Sequence, residues 1–205
     1  MVGQEIAMKK STVRTYPHTL ALNDAKVEVR LMTADDGPAL SIFINTLPSH
    51  DLLFVRRNIS HSKVQAAWLS ALGERVTSLV AYADGQIVGC TAIVTDTLSW
   101  SPHVGDLRVL VKPAWRGCGL GRLLTQECFN LALGLRLEKL TVQMTVDQSA
   151  AIAIFEELGF RAESVLRNHL KDYDGKRHDL ALLSLEVAEL PMRSYARGMS
   201  TALHE

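Results

Sequence analysis

The sequence predicts an α+β domain, a mixed sheet flanked by helices in an α/β three-layer arrangement. Three observations predict it. Short strand-like runs are grouped ahead of one strand–glycine turn–helix unit, and strand and helix patterns alternate after it. Tight-turn signals separate strand-like runs at Asn23-Asp24, at Asp84-Gly85 and at Tyr173-Asp174-Gly175-Lys176. Helical patterns are confined to four short windows.

Taken in order, Thr19 to Leu22 and Lys26 to Met32 predict a hairpin around Asn23-Asp24. A helix follows from Thr33 or Asp36, because Asp35 and Asp36 suit the positive end of a helix and Pro38 suits its first turn. The spacing of Val64, Ala67, Trp68, Ala71 and Leu72 predicts a second helix over Ser62 to Leu72, capped by Gly73. Strands are predicted over Ser78 to Ala83, Gln86 to Thr95 and Val104 to Val111, the last running into Lys112-Pro113 and a glycine cluster. A helix over Gly119 to Ala132 carries Leu120, Leu123, Leu124, Cys128 and Leu131 on one face. Next come a strand over Lys139 to Val146 and a helix over Ser149 to Leu158, stopped by Gly159. Phe160 to Leu170 and His178 to Val187 read as the last strands. Residues 1–15 and 191–205 read as tails around a domain at 16–190, although Tyr195 and Met199 are able to pack.

The 205 residues suit one domain with tails, and 47% apolar content is enough for a sizeable core. Lys plus Arg and Asp plus Glu are both 22, so no global basic field argues for nucleic acid or an anionic membrane. Cys90, Cys118 and Cys128 are odd in number and form no CxxC pair, which reads as reduced thiols in a cytoplasmic protein. Met1 to Lys10 is too polar for a secretory signal, and no segment reaches the ~20 apolar residues that span a bilayer. The seven histidines show no metal-ligand spacing, so no metal is expected. Trp68 reads as core, and Trp115 as packing beneath the glycine cluster.

The chemistry concentrates in Leu107 to Leu124. A strand enters a turn holding Gly117, Gly119 and Gly121, and a helix leaves it. Such glycines adopt positive φ and let a ligand approach the backbone, while the N–H groups at the helix start favour a pyrophosphate. A Walker A loop is excluded because no Gly-Lys-Ser/Thr follows. A dinucleotide fingerprint fails because its third glycine position falls on Arg122 or Leu124. The spacing present is Arg116-x-x-Gly119-x-Gly121, which is more than a helix cap requires.

Arg116-Gly-Cys-Gly-Leu-Gly121 after a Val-rich strand resembles the coenzyme A motif of the GNAT acetyltransferases. Ser149-Ala-Ala-Ile-Ala-Ile-Phe-Glu-Glu-Leu-Gly-Phe160 resembles the later helix of that family, and the resemblance extends from about Val27 to Val187. It implies a mixed, mostly antiparallel sheet in which the strand before the turn bulges and parts from its neighbour, opening a coenzyme A cleft. It further implies acetyl-coenzyme A as cosubstrate, held by the backbone of Val109, Leu110 and Val111, by Arg116, Gly117, Cys118, Gly119, Leu120 and Gly121, and by Gln148 and Phe155.

An acceptor amine would attack the thioester directly. A lysine-like amine is only about one part in a thousand neutral near pH 7, so a base is needed. Asp106 is the candidate base, where several family members carry a carboxylate, more often Glu; otherwise it is a solvated strand-end residue. The amide of Leu110 is the candidate donor to the developing oxyanion. Phe155 stands where many members have a Tyr acid, leaving Tyr173 as a distant substitute, and Gln148 stands where Asn is usual.

Tyr16-Pro17, Val27 to Arg30, Thr33 to Asp36 and Leu166 to Asp179 are similar to the catalytic domain of bacterial protein lysine acetyltransferases. The expected partners are therefore acetyl-coenzyme A and an amine acceptor, a protein lysine or, as the alternative, a small amine or amino acid, with a homodimer as the candidate assembly. A coenzyme A-binding module without turnover is the alternative, kept open by Asp106 and Phe155.

Overall fold

The structure, a computed structural model, describes residues 15–22, 24–53 and 58–189. Apart from Thr15 the expected tails lie outside the described residues, as do Tyr195 and Met199. The strands are β1 (His18–Leu22), β2 (Ala25–Leu31), β3 (Val76–Thr77), β4 (Leu79–Ala83), β5 (Gln86–Val94), β6 (Val104–Val111), β7 (Lys139–Thr145), β8 (Arg161–Lys171) and β9 (Arg177–Glu186). The helices are α1 (Gly37–Asn45), α2 (Ser62–Ser70), α3 (Leu120–Gly134) and α4 (Ser149–Glu157). The predicted order holds, with β3 as an unpredicted addition too short to carry a pattern.

One sheet runs β1-β2-β4-β5-β6-β7-β9-β8, with β3 beside β5. Every pairing is antiparallel except β6 with β7. That parallel pair requires a crossover, which α3 supplies. Helices cover both faces. On one, Leu40, Phe43 and Ile44 of α1 pack against Val80, Cys90 and Leu110. On the other, Leu120 and Leu124 of α3 meet Val27, Val29 and Ala81, while Cys128, Ala132 and Phe155 meet Leu107, Leu140 and Met144. Leu120, Leu124, Cys128 and Ala132 repeat every fourth residue and form the fully buried stripe of α3. Among the described residues no helix is long and apolar enough to cross a membrane.

Two glycines set distances that the site depends on. A Cβ on Gly89 of β5 would lie 2.8 Å from Leu124 Cδ1 and 3.2 Å from Leu110 C=O, so a larger residue here would displace the Leu124 side chain or press α3 away from the sheet. A Cβ on Gly105 of β6 would lie 2.7 Å from Leu137 Cδ1 and 2.9 Å from Ile93 Cγ2, where the chain returns from α3. The second helix departs from expectation: it stops at Ser70, and Gln65 rather than Ala67 points inward. Burying that amide is tolerable because Gln65 Nε2 donates to Ile59 C=O at 2.8 Å.

Asp36 anchors α1 to the sheet. Its buried carboxylate accepts from Arg30 at 2.8 and 2.5 Å, from the Thr33 amide at 2.8 Å and from the Tyr82 hydroxyl at 2.8 Å. Burial pushes this carboxyl up, but the Arg30, Thr33 and Tyr82 bonds outweigh it and hold it at about 2. A carboxyl lowered in the folded state stabilises the protein above its unfolded value of about 4 and loses that contribution as pH falls through the folded one. Asp36→Asn is expected to lower stability at neutral pH by about 2 kcal/mol. In urea unfolding the deficit should shrink as pH drops from about 4 towards about 2; a deficit constant over that window would contradict this assignment.

Candidate functional site

The site begins where two neighbours separate. β6 and β7 pair only at Val104–Lys139, Gly105–Leu140 and Asp106–Thr141. Beyond them β6 continues beside β5 to Gly89–Val111, and β7 continues beside β9 to Thr145–Leu180. The remainder of β6 therefore has one unpaired edge. Lys112 N–H donates to Val88 C=O at 2.9 Å. Hydrogen-bonded pairs alternate along an antiparallel ladder, so Leu110–Cys90 and Arg108–Ala92 are also bonded pairs. The backbone groups of Val109, the carbonyl of Leu107 and the amide of Val111 then face the gap.

This corrects two expectations. The Leu110 amide is engaged with β5 and its side chain is buried against α1, so it faces neither a ligand nor an oxyanion. The expected bulge is also absent: β6 keeps one register with β5 throughout, and the gap arises from parting alone.

At the end of β6 a single 3-10 turn, Pro113–Trp115, leads into the glycines. Gly117 has φ 74° and Gly119, the N-cap of α3, has φ 89°, conformations that favour glycine. Backbone hydrogen bonds end with Arg116 N–H to Pro113 C=O at 3.2 Å and resume with Leu123 N–H to Gly119 C=O at 3.0 Å. Among the described residues the amides between them find no backbone acceptor, and α3 adds its positive end. Leu120 is fully buried and fixes the first helical turn, while Trp115 and Cys118 pack beneath the glycines. Cys118 Sγ donates to Trp115 C=O at 3.0 Å. Arg116 bonds Val111 C=O and ion-pairs with Asp51 of the 3-10 turn Ser49–Leu52. A Cβ on Gly121 would meet only Val111 Cγ2 at 3.7 Å, so the protein's own packing does not demand this glycine. These residues fit an anion that seats on backbone amides.

Gln148 caps the other side of the gap, at the start of α4. Its Nε2 is buried and, among the described residues, has no hydrogen-bond partner. A buried donor left unpaired costs about 1–3 kcal/mol, so an acceptor from a ligand is the natural complement. Phe155, expected at the ligand, is core instead: only 7% exposed, its ring lies edge-on to Phe160 at 5.1 Å. Tyr173 is 70% exposed on the β8–β9 hairpin, where its hydroxyl accepts from Asn58 Nδ2 at 2.5 Å.

Side-chain parity divides the two faces of the gap. Leu107 and Val109 point with Leu140, Val142 and Met144 towards α3 and α4. Asp106, Arg108, Thr141, Gln143 and Thr145 therefore share the opposite face, where α1 and α2 lie. Arg108 Nε and Nη2 donate to Asp106 Oδ2 at 3.2 and 2.9 Å. Among the described residues no donor is bonded to Asp106 Oδ1. At the open end His50, Asp147 and His178 meet, a cluster that sequence spacing does not foretell because 97 positions separate His50 from Asp147. Two thiols are inert by burial: it pushes Cys90 far up and Cys128 to about 12.

A model of the acetyltransferase (GNAT) family matches residues 45–160. An L-amino acid N-acetyltransferase of Escherichia coli strain K12 is 28% identical over 47% of this chain and 61% of its own length. A [ribosomal protein bS18]-alanine N-acetyltransferase of the same strain is 29% identical over 39% of this chain and 53% of its own. The matches thus span less than two thirds of these relatives, whose names specify amino-acid and ribosomal-protein alanine acceptors. The closeness to protein lysine acetyltransferases finds no counterpart in them. Among solved structures, a Streptococcus pneumoniae acetyltransferase of the GNAT family aligns with TM-score 0.68 and 23% identity over 78% of this chain and 99% of its own. The Salmonella typhimurium protein yncA, solved with its cofactor acetyl-CoA, aligns with TM-score 0.67 and 20% identity over 78% and 94%. Likenesses at this identity establish the fold.

Gly121→Ala separates a ligand contact from a structural need. Stability should hold or rise by about 0.5 kcal/mol, because alanine favours a helix interior. Binding of the coenzyme A expected from the sequence should weaken by about tenfold or more, read by calorimetry. Unchanged binding would remove Gly121 from the cradle.

Proposed function

Because the chain belongs to the acetyltransferase (GNAT) family, we propose that it is an acetyl-coenzyme A-dependent N-acetyltransferase acting on a primary amine, with a free amino acid as acceptor. The observation that carries the reading is the unpaired edge of β6 beyond Asp106, which runs directly into the glycine cradle. An extended ligand with amide groups along its arm and a pyrophosphate at one end is complementary to both. The amides from Gly117 to Gly121 would hold the pyrophosphate, with Arg116 beside it. The backbone groups of Val109 and the amide of Val111 would pair with the arm, Val111 C=O being held by Arg116, and Gln148 Nε2 would donate to a carbonyl on it. When bound, acetyl-coenzyme A supplies an activated acetyl thioester.

The chain's own residues then have three tasks. Asp106 Oδ1 receives the acceptor ammonium and takes its proton, a weak base whose leverage is position. The amide of Val109 donates to the negative charge developing on the acyl oxygen, in place of Leu110. Arg108 uses Nε and Nη2 on Asp106, so Nη1 remains for an acceptor carboxylate. That pairing of opposite charges is what favours an amino acid, as does the name of one relative. The departing thiolate needs no acid, since a thiol of pKa ~8.5 leaves readily.

The test is thiol release from acetyl-coenzyme A with free amino acids, simple amines and lysine peptides as acceptors. Turnover confined to free amino acids is expected. Asp106→Asn should lower kcat about 100-fold or more, and Arg108→Gln should raise KM for amino acids while sparing simple amines. Preference for lysine peptides would instead support the acceptor suggested by the sequence resemblance. Tight coenzyme A binding without turnover on any acceptor would favour a binding module.

A further inference from the structure

We propose that His50, Asp147 and His178 form a three-ligand site for a divalent transition-metal ion, zinc above all. The three come from separate elements: the Ser49–Leu52 turn, the residues just after β7 and the start of β9. One donor atom from each lies within 4.8 Å of the others. His50 Nε2 is 3.1 Å from Asp147 Oδ1, and His178 Nδ1 is 4.0 Å from Asp147 Oδ2. Donors around a tetrahedral zinc with bonds of about 2.0–2.2 Å stand about 3.3–3.5 Å apart, so separations of up to 4.8 Å must shorten by about an ångström to close the site, within reach of side-chain rotation. Two imidazoles and a carboxylate suit zinc better than calcium or magnesium, which prefer oxygen donors.

The surroundings argue for a metal more strongly than the distances do. His178 is buried, and its Nε2 is held by Asp172 Oδ2 at 2.7 Å. In the tautomer that donates from Nε2 to this carboxylate, the Nδ1 lone pair faces Asp147, 4.0 Å away. A carboxylate behind a histidine, orienting its far nitrogen, is the outer-shell arrangement that metal ligands require. Thr145 Oγ1 lies 3.4 Å from His50 Nε2, beside the same cluster. His50 and Asp147 are 38% and 55% exposed, which leaves the fourth coordination position open to solvent. A simple His–Asp ion pair would explain His50 with Asp147, but not a second, pre-oriented histidine beside them.

The test uses the whole chain, free of any affinity tag and stripped by chelator. It is titrated with Co²⁺ by visible absorption and with Zn²⁺ by calorimetry. One equivalent should bind with micromolar or tighter affinity, Co²⁺ giving the intense d–d bands of a tetrahedral site. His50→Ala, Asp147→Asn and His178→Ala should each weaken binding by more than about 100-fold, and Asp172→Asn by about 10- to 100-fold. The exposed His103→Ala and His169→Ala should change nothing. Circular dichroism establishes that each variant folds; if His178→Ala does not, His50→Ala and Asp147→Asn decide alone. Binding weaker than about 100 µM, or binding that survives both His50→Ala and Asp147→Asn, would overturn the proposal.

Discussion

Three residue pairs at the base of β6 and β7 are the constraint on which the site depends. A longer ladder would satisfy the free edge of β6 within the sheet and leave nothing for a ligand. A shorter one would lose the parallel join that carries α3 across. Each strand keeps its outer partner, β5 for β6 and β9 for β7, so the parting opens a slot inside an otherwise continuous sheet. Gly105 sits at the closed end, where Leu137, Ile93 and Leu140 leave no room for a Cβ. Unpaired backbone groups are costly when buried, so the slot is stable only where water or a ligand can reach them.

The same parting sorts the chemistry. Because parity alternates along a strand, the β6 residues with free backbone groups send their side chains towards α3 and α4, and those bonded to β5 send theirs towards α1 and α2. An extended ligand lying on the free edge is thereby separated from the face that carries Asp106 and Arg108. Backbone holds one reactant and side chains select the other. A side-chain substitution on the acceptor face can then alter selectivity without disturbing the slot, which reconciles low identity among relatives with a shared fold.

How much of this was legible depended on whether the signal was local. The hairpins, the helices and the glycine cradle are written in turns, stripes and spacing, and they lie within a residue or two of expectation. The position of Gln148 was legible because it is set by the start of a helix. Leu110 was misassigned because the direction of an amide depends on ladder phase, which one strand's sequence does not contain. Phe155 was misassigned because an aromatic at helical spacing serves core and ligand alike until Phe160 is seen beside it. The cluster of His50, Asp147 and His178 was illegible, since it exists only after three distant segments close.

That cluster and the cradle are not independent parts. Both are fastened to the same 3-10 turn, four residues long, through adjacent positions: His50 reaches Asp147 after β7, and Asp51 reaches Arg116 beside the glycines. So short a turn has little freedom to move one contact without the other. The two contacts bridge the slot from opposite strands, one at the end of β7 and one beyond the end of β6. The turn therefore touches the chain beyond both strands at the open end of the slot. Backbone pairs join β6 and β7 at the base, and side-chain contacts to one turn link the segments beyond them at the mouth.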